Sequence, residues 1–211
     1  MLGDGTSGSR STPAPITALT NIAWLSLGDL YYGLAVDADG HAFTWGRALW
    51  GCLGDGASNQ LVVGVTQVAG VEDVVQAAAG THHVVALKRD GTVNGWGARS
   101  YGAGNALGDG TGQPSIALPF VIPNLTGVRL VAAAGSYSLF LMEDGTVRMA
   151  GSFNDYWPEK NNSHTQVVGL TRIRFIAAGT NQAFALDEDG QLFSWSEGVY
   201  GALAADQKKA P

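Results

Sequence analysis

The residues that could do chemistry are few, and their spacing decides against most of them. His82 and His83 are neighbours on a stretch that alternates like a strand. Their side chains must then point to opposite faces and cannot share one metal ion. Asp37-Ala38-Asp39-Gly40 and Asp187-Glu188-Asp189-Gly190 imitate the start of a calcium loop. An EF-hand needs a bidentate carboxylate at its last position, and Ala48 or Gly198 stands there. Gly102, Gly104 and Gly108 resemble a phosphate-cradling loop, but the spacing is not G-x-G-x-x-G and no helix is predicted to follow. Ser136 and Ser138 lack the second glycine of a nucleophile elbow, and no His and Asp accompany them at a recurring spacing. Cys52 is the only cysteine, which excludes an internal disulfide and a thiolate metal site and reads as a buried apolar residue. No catalytic residue, no metal site and no cofactor is assigned.

The elements around these residues carry the stronger signal. Residues Ala77 to Gly97 read AAAGTHHVVALKRDGTVNGWG, two short alternating apolar stretches around Asp90-Gly91. That pattern predicts a β-hairpin on a two-residue turn, with glycine supplying the positive φ. Versions of it recur with turn glycines Gly40, Gly91, Gly145 and Gly190, spaced by 51, 54 and 45 residues. A period near 50 residues means an array of stacked units rather than an ordinary domain. Before each hairpin lies a short strand of small and β-branched residues that closes on Gly28, Gly80, Gly135 or Gly179, a glycine expected to let the chain turn. Trp45, Trp96 and Trp195 follow the hairpin at one phase, where they are expected to pack between units, and Ala150 replaces Trp in the third unit. Tyr32, His83, Tyr137 and Gln182 share another phase, expected to hydrogen-bond between units.

Composition agrees with an all-β chain rich in tight turns: 45% hydrophobic and 14% charged residues, with 30 glycines in 211. A formal charge of −6 and scattered cations disfavour direct nucleic-acid binding. No stretch approaches the ~20 apolar residues of a membrane helix, and no signal peptide is recognised, so the compartment stays unassigned.

Leu2-Gly3-Asp4-Gly5 recurs as Leu53 to Gly56 and Leu107 to Gly110, each following a hairpin. Residues 1–19 therefore read as the tail of a preceding unit. The rest divides into repeats at 20–70, 71–127, 128–170 and 171–211, the last one truncated. The composite A-A-G, then A-L-x-x-D-G, then W-G, then Tyr-Gly and L-G-D-G, resembles the repeat of the regulator of chromosome condensation family across essentially the whole chain. That resemblance implies a β-propeller of antiparallel blades, commonly seven. Four repeats fall short of that ring and predict an open, incomplete array, which would leave two apolar blade faces exposed and prone to self-association. A fragment of a longer chain is expected, with a two-arc oligomer and a four-bladed ring as the other solutions. The resemblance also implies protein interaction as the usual role, including nucleotide exchange on a Ran-type GTPase and, in some bacterial relatives, inhibition of β-lactamases.

The loops after each hairpin differ most, and loops on a rigid scaffold carry function. Aromatic and Arg side chains dominate interface hot spots. Trp50, Arg99, Tyr101, Phe153, Tyr156, Trp157 and Tyr200 are accordingly the residues expected to contact a protein partner. The reading is a non-enzymatic interaction scaffold, with guanine-nucleotide exchange and enzyme inhibition as alternatives.

Overall fold

The computed structural model describes residues 2–29, 31–99, 105–153 and 162–196. Fifteen strands and no helix are found among them. They form four antiparallel sheets, each built from consecutive strands. Sheet 1 contains β1 (Ile22–Leu27), β2 (Tyr32–Asp37), β3 (Ala42–Leu49) and β4 (Asn59–Gln67), in that order. Sheet 2 repeats this with β5 (Val74–Ala79), β6 (His83–Lys88), β7 (Val93–Ala98) and β8 (Ser115–Val121). Sheet 3 has β9 (Val128–Ala134), β10 (Tyr137–Met142), β11 (Val147–Gly151) and the short β12 (Thr165–Gln166). Sheet 4 has β13 (Ile173–Gly179), β14 (Gln182–Asp187) and β15 (Leu192–Ser196). The first strands β1, β5, β9 and β13 lie innermost, each against the next, and line one shallow cavity of about 230 Å³. This is the β-propeller arrangement.

Each sheet is a blade with two faces, because side chains alternate across a strand. Call the face toward the following sheet forward and the other back. Tyr32, Leu34, Val36 and Ala42 on the forward face of sheet 1 share one buried cluster with Ala77, Val84, Ala86 and Trp96 on the back of sheet 2. A second cluster joins sheets 2 and 3 through Val85, Leu87, Val93, Phe140 and Ala150, and a third joins sheets 3 and 4 through Leu139, Leu141, Ile176 and Ala185. Among the described residues, no buried cluster joins sheet 4 to sheet 1. The array is open.

The hairpin turns differ from the two-residue form predicted. In the second repeat the Gly91 amide donates to the Lys88 carbonyl, and the Lys88 amide donates to the Thr92 carbonyl. The loop is therefore Arg89-Asp90-Gly91, a type I turn followed by one left-handed residue. Only the glycine takes positive φ, +78°, while the Asp90 carboxylate accepts from the Thr92 amide and hydroxyl. Asp needs no positive φ in this geometry; its carboxylate closes the turn. The turn glycine also links blades, since its carbonyl accepts the first amide of the next sheet: Gly40 from Val74, Gly91 from Val128 and Gly145 from Ile173.

Of the glycines before the hairpins, Gly135 takes the positive φ expected of a turn, 50°, whereas Gly28 and Gly80 serve another purpose. Gly28 and Gly80 have ordinary φ, but a Cβ on either would overlap the ring of Tyr32 or His83. They make room for the aromatic rings that stitch the blades.

Candidate interaction face

Strands run alternately up and down, so the connections between first and second strands, and in sheets 1 to 3 between third and fourth strands, emerge on one face and the Asp-Gly hairpins on the other. Sequence divergence is concentrated on the first face. In sheet 1 its loop begins with Trp50 (φ 58°) and Gly51 (φ 80°), two consecutive left-handed residues that reverse the chain. Cys52 and Leu53 then drop into the core and are fully buried. The Thr44 hydroxyl donates to the Leu53 carbonyl at 2.7 Å, and Trp96 Nε1 of sheet 2 donates to the Cys52 carbonyl at 3.0 Å. Gly54 lies against the Trp96 indole so closely that a Cβ would stand 2.9 Å from Nε1. The loop thus fastens sheet 1 to sheet 2, and Trp50 is left at its apex, 42% exposed. Burial pushes the Cys52 thiol up to about 11, which removes it as a nucleophile at neutral pH.

The corresponding loop of sheet 2 is braced from within. Arg99 is buried, with Nε 2.6 Å from the Asp109 carboxylate and its guanidinium 5.2 Å from the centre of the Phe120 ring. Asn105 accepts the amides of Leu107 and Gly108, and the Gly110 amide donates to Asn162 of the third repeat. Gly108 packs on Ala150 of sheet 3, the phase at which Gly54 packs on Trp96. In sheet 3, Phe153 is buried with its ring 4.6 Å from that of Tyr137. The structure therefore turns Arg99 and Phe153 inward and Trp50 outward. Tyr101, Tyr156, Trp157 and Tyr200 lie outside the described residues.

Below these loops, the expected polar stitch is present. Tyr32 Oη donates its proton among the carbonyls of Gly80 and His83 at 2.8 Å each, and Tyr137 Oη does the same with Gly179 and Gln182. His83 Nε2 lies 3.0 Å from the Ser138 hydroxyl of sheet 3. Complete burial drives His83 down to about 4, so it is neutral at physiological pH. His82 also has its pKa lowered by burial. Asp37, Asp39 and His41 bring potential metal ligands together, but one Asp37 oxygen accepts the Asp39 and His41 amides and the other meets His41 Nδ1 at 3.0 Å. The same carboxylate-to-amide closure recurs at Asp187 and Gln191, which marks the group as a turn.

Sequence reasoning passed over Asp29. Its carboxylate accepts from the Thr81 hydroxyl of sheet 2 and the Gly135 amide of sheet 3, both at 2.8 Å, and so ties three blades near the axis. A signal was available: Asp29, Thr81, Ser136 and Thr180 are all small polar residues directly after the four pre-hairpin glycines.

With blades, stitches and lapping loops in place, comparison with known proteins is informative. Residues 39–87 and 74–103 match models of the regulator of chromosome condensation (RCC1) repeat. The chain belongs to this repeat family. Its RCC1 repeats are 30% identical over 217 residues to the probable E3 ubiquitin-protein ligase HERC6 of Homo sapiens, covering 94% of this chain and 21% of that one. They are 30% identical over 219 residues to the ultraviolet-B receptor UVR8 of Arabidopsis thaliana, covering 96% of this chain and 48% of that one. Among solved structures, human WBSCR16 superposes with a TM-score of 0.73 at 23% identity, over 86% of this chain and 49% of that one. Yeast RCC1 (Prp20), solved with Kap60, gives 0.66 at 23% identity, over 83% and 43%. The chain therefore spans less than half the length of each. Among the described residues no helix is long and apolar enough to cross a membrane.

Proposed function

We propose that this RCC1-repeat array is a non-enzymatic interaction module that binds a protein partner through the loop face. The observation that carries the reading is Trp50, a large aromatic held 42% exposed at the apex of a loop whose Cys52 and Leu53 are fully buried. An aromatic on a rigid support loses little conformational entropy on binding, which is why such residues act as hot spots. Arg99, Asp109 and Phe153 form the support behind the neighbouring loops, and Tyr101, Tyr156, Trp157 and Tyr200 extend the same face in the proposal. Yeast RCC1 is solved with the protein Kap60, and a second structure of it is reported with its binding to Gsp1p and histones, which supports a protein as the class of partner.

The test is affinity capture with quantitative mass spectrometry, comparing the chain with Trp50→Ala and with Glu188→Ala on the opposite face. A partner retained by Glu188→Ala and depleted about tenfold or more by Trp50→Ala, a hot-spot loss of roughly 1.4 kcal/mol or greater, fits the proposal. Equal capture by all three removes the loop face as the binding surface. A parallel assay with labelled guanine nucleotide on small GTPases would overturn the passive reading if the chain accelerated release.

A further inference from the structure

The outer strands β4, β8 and β12 are last in their sheets, so each has one edge with no strand beside it. That edge lies on the circumference however many blades a ring holds. In a β-strand the N–H and C=O of one residue point to the same side, and successive residues alternate sides. The Val63 carbonyl of β4 accepts the Gly5 amide from outside the sheet, whereas the Val68 amide donates inward to the Ala42 carbonyl. Asn59, Leu61, Val63, Val65 and Gln67 therefore turn their backbone groups outward. The other blades keep the same phase: Ala117 accepts from Gly56, and Asn162 accepts from Gly110.

Edges of this kind are ordinarily blunted by proline, by shortness or by cover. Sheet 2 carries Pro119 at an outward position two residues past Ala117, where it offers no amide. Sheet 3 shortens its outer strand to Thr165–Gln166, and Asp109 of the preceding loop pairs antiparallel with Ser163. β4 runs for nine residues, NQLVVGVTQ, without proline or charge. Among the described residues, the bond from Gly5 to Val63 is the one backbone hydrogen bond that reaches its outer edge. Val65 stands where sheet 2 has Pro119, and both it and Gln67 present an outward amide and carbonyl. We propose that residues 65–67 of β4 receive an extended segment of another protein as an added antiparallel strand. This surface is separate from the loop face and goes beyond the reading given for it. The row of amides and carbonyls sets the class of ligand, because a second extended backbone is what matches donors and acceptors at that spacing. An uncharged strand makes no demand for charged side chains, so the segment is uncharged and free of proline. Asp109 and Ser163 show the same antiparallel mode within the molecule. A second copy is the weaker occupant, since β4 paired along its length with β4 centres on Val63, whose carbonyl Gly5 holds.

The probe is a displayed library of random peptides about one strand long, selected on the intact chain, with the enriched sequence then synthesised. Fluorescence anisotropy is expected to give a saturable isotherm, and hydrogen exchange should slow at the Val65 and Gln67 amides in the complex. Val65→Pro should weaken the peptide about tenfold or more, while Val65→Ala stays within about twofold, because an added strand reads backbone and not side chain. Proline at this position removes no bond of the sheet, as Pro119 does not in β8, so the urea midpoint should hold. If Val65→Pro lowers that midpoint, N-methylation of alternate peptide residues reads the same loss on the unmodified chain. An absence of enriched peptides, equal binding by a folded Val65→Pro, or slowed exchange only elsewhere overturns the proposal. Sedimentation of the unmodified chain at twice its own mass, abolished by Val65→Pro, gives the edge to a second copy and overturns its assignment to another protein.

Discussion

Two junctions between blades solve one packing problem with different side chains. Between sheets 1 and 2, the indole of Trp96 fills the space under Gly54, and the adjacent back-face position is Ala86. Between sheets 2 and 3, the Trp position is Ala150, and the position equivalent to Ala86 is Phe140, fully buried. Sheets 1 and 4 follow the first scheme, with Ala35 beside Trp45 and Ala185 beside Trp195. The large ring has moved one strand inward in sheet 3, from the third strand to the second, while the pair still holds one aromatic and one alanine. Most of the volume is kept, and core swaps that hold volume are the ones best tolerated. The polar stitch is exchanged as well, from the Tyr32 hydroxyl on backbone carbonyls to His83 on the Ser138 side chain. The lesson is that an apparently degenerate repeat is a compensated one.

The comparison can be broken most strongly at Trp96. Trp96→Ala should lower unfolding stability by about 3–5 kcal/mol, the range for emptying a buried aromatic site, read from urea denaturation. A loss below about 1 kcal/mol would mean that the loop over Trp96 collapses into the space.

His83 distinguishes the second junction by its pH dependence. Its folded pKa, about 4, lies below the ordinary 6.5, so the unfolded chain binds the extra proton between those values. Stability is full above about pH 6.5, falls by roughly 2–3 kcal/mol as pH drops toward 4, and is flat in this respect below that. Urea midpoints between pH 4 and 7.5 should show this slope for the unmodified chain and a shallower one for His83→Gln, the residue type that sheet 4 carries at this phase. An unchanged slope would remove His83 as its source.

Restoring Trp to sheet 3 sharpens the volume argument. Ala150→Trp should destabilise by about 1–3 kcal/mol through overpacking against Phe140 and Gly108. Adding Phe140→Ala should recover part of that loss, so that the double variant is more stable than the sum of the singles. Strict additivity in the same denaturation assay would show that the two positions do not share space. The smallest effect is expected at Asp29, common to both junctions. Asp29→Ala should cost about 1–2 kcal/mol by leaving the Thr81 and Gly135 donors without their acceptor, and calorimetry would show the lowered midpoint.

Much of this was legible in the residues. The Asp-Gly period announced stacked antiparallel hairpins, the Trp phase announced packing between them, and the shared phase of Tyr32, His83 and Tyr137 announced a polar stitch. The substitution at Ala150 was visible, but its compensation by Phe140 was not, because the two lie on different strands and meet only through cross-strand register. Arg99 and Phe153 were expected on the surface from their residue types and loop position. Their inward turn depends on Asp109 and Tyr137, partners 10 and 16 residues away.

By itself the sequence determined the blade, since turn chemistry and strand alternation act over a few residues and repeat wherever the pattern repeats. Only the tertiary structure decided how blades meet: that three junctions are closed and one is open, that Asp29 ties three sheets, and that Trp50 alone of the described loop candidates faces solvent. Those outcomes depend on which side chains from different repeats occupy one volume, and close packing is a property of the assembled faces that no local stretch encodes.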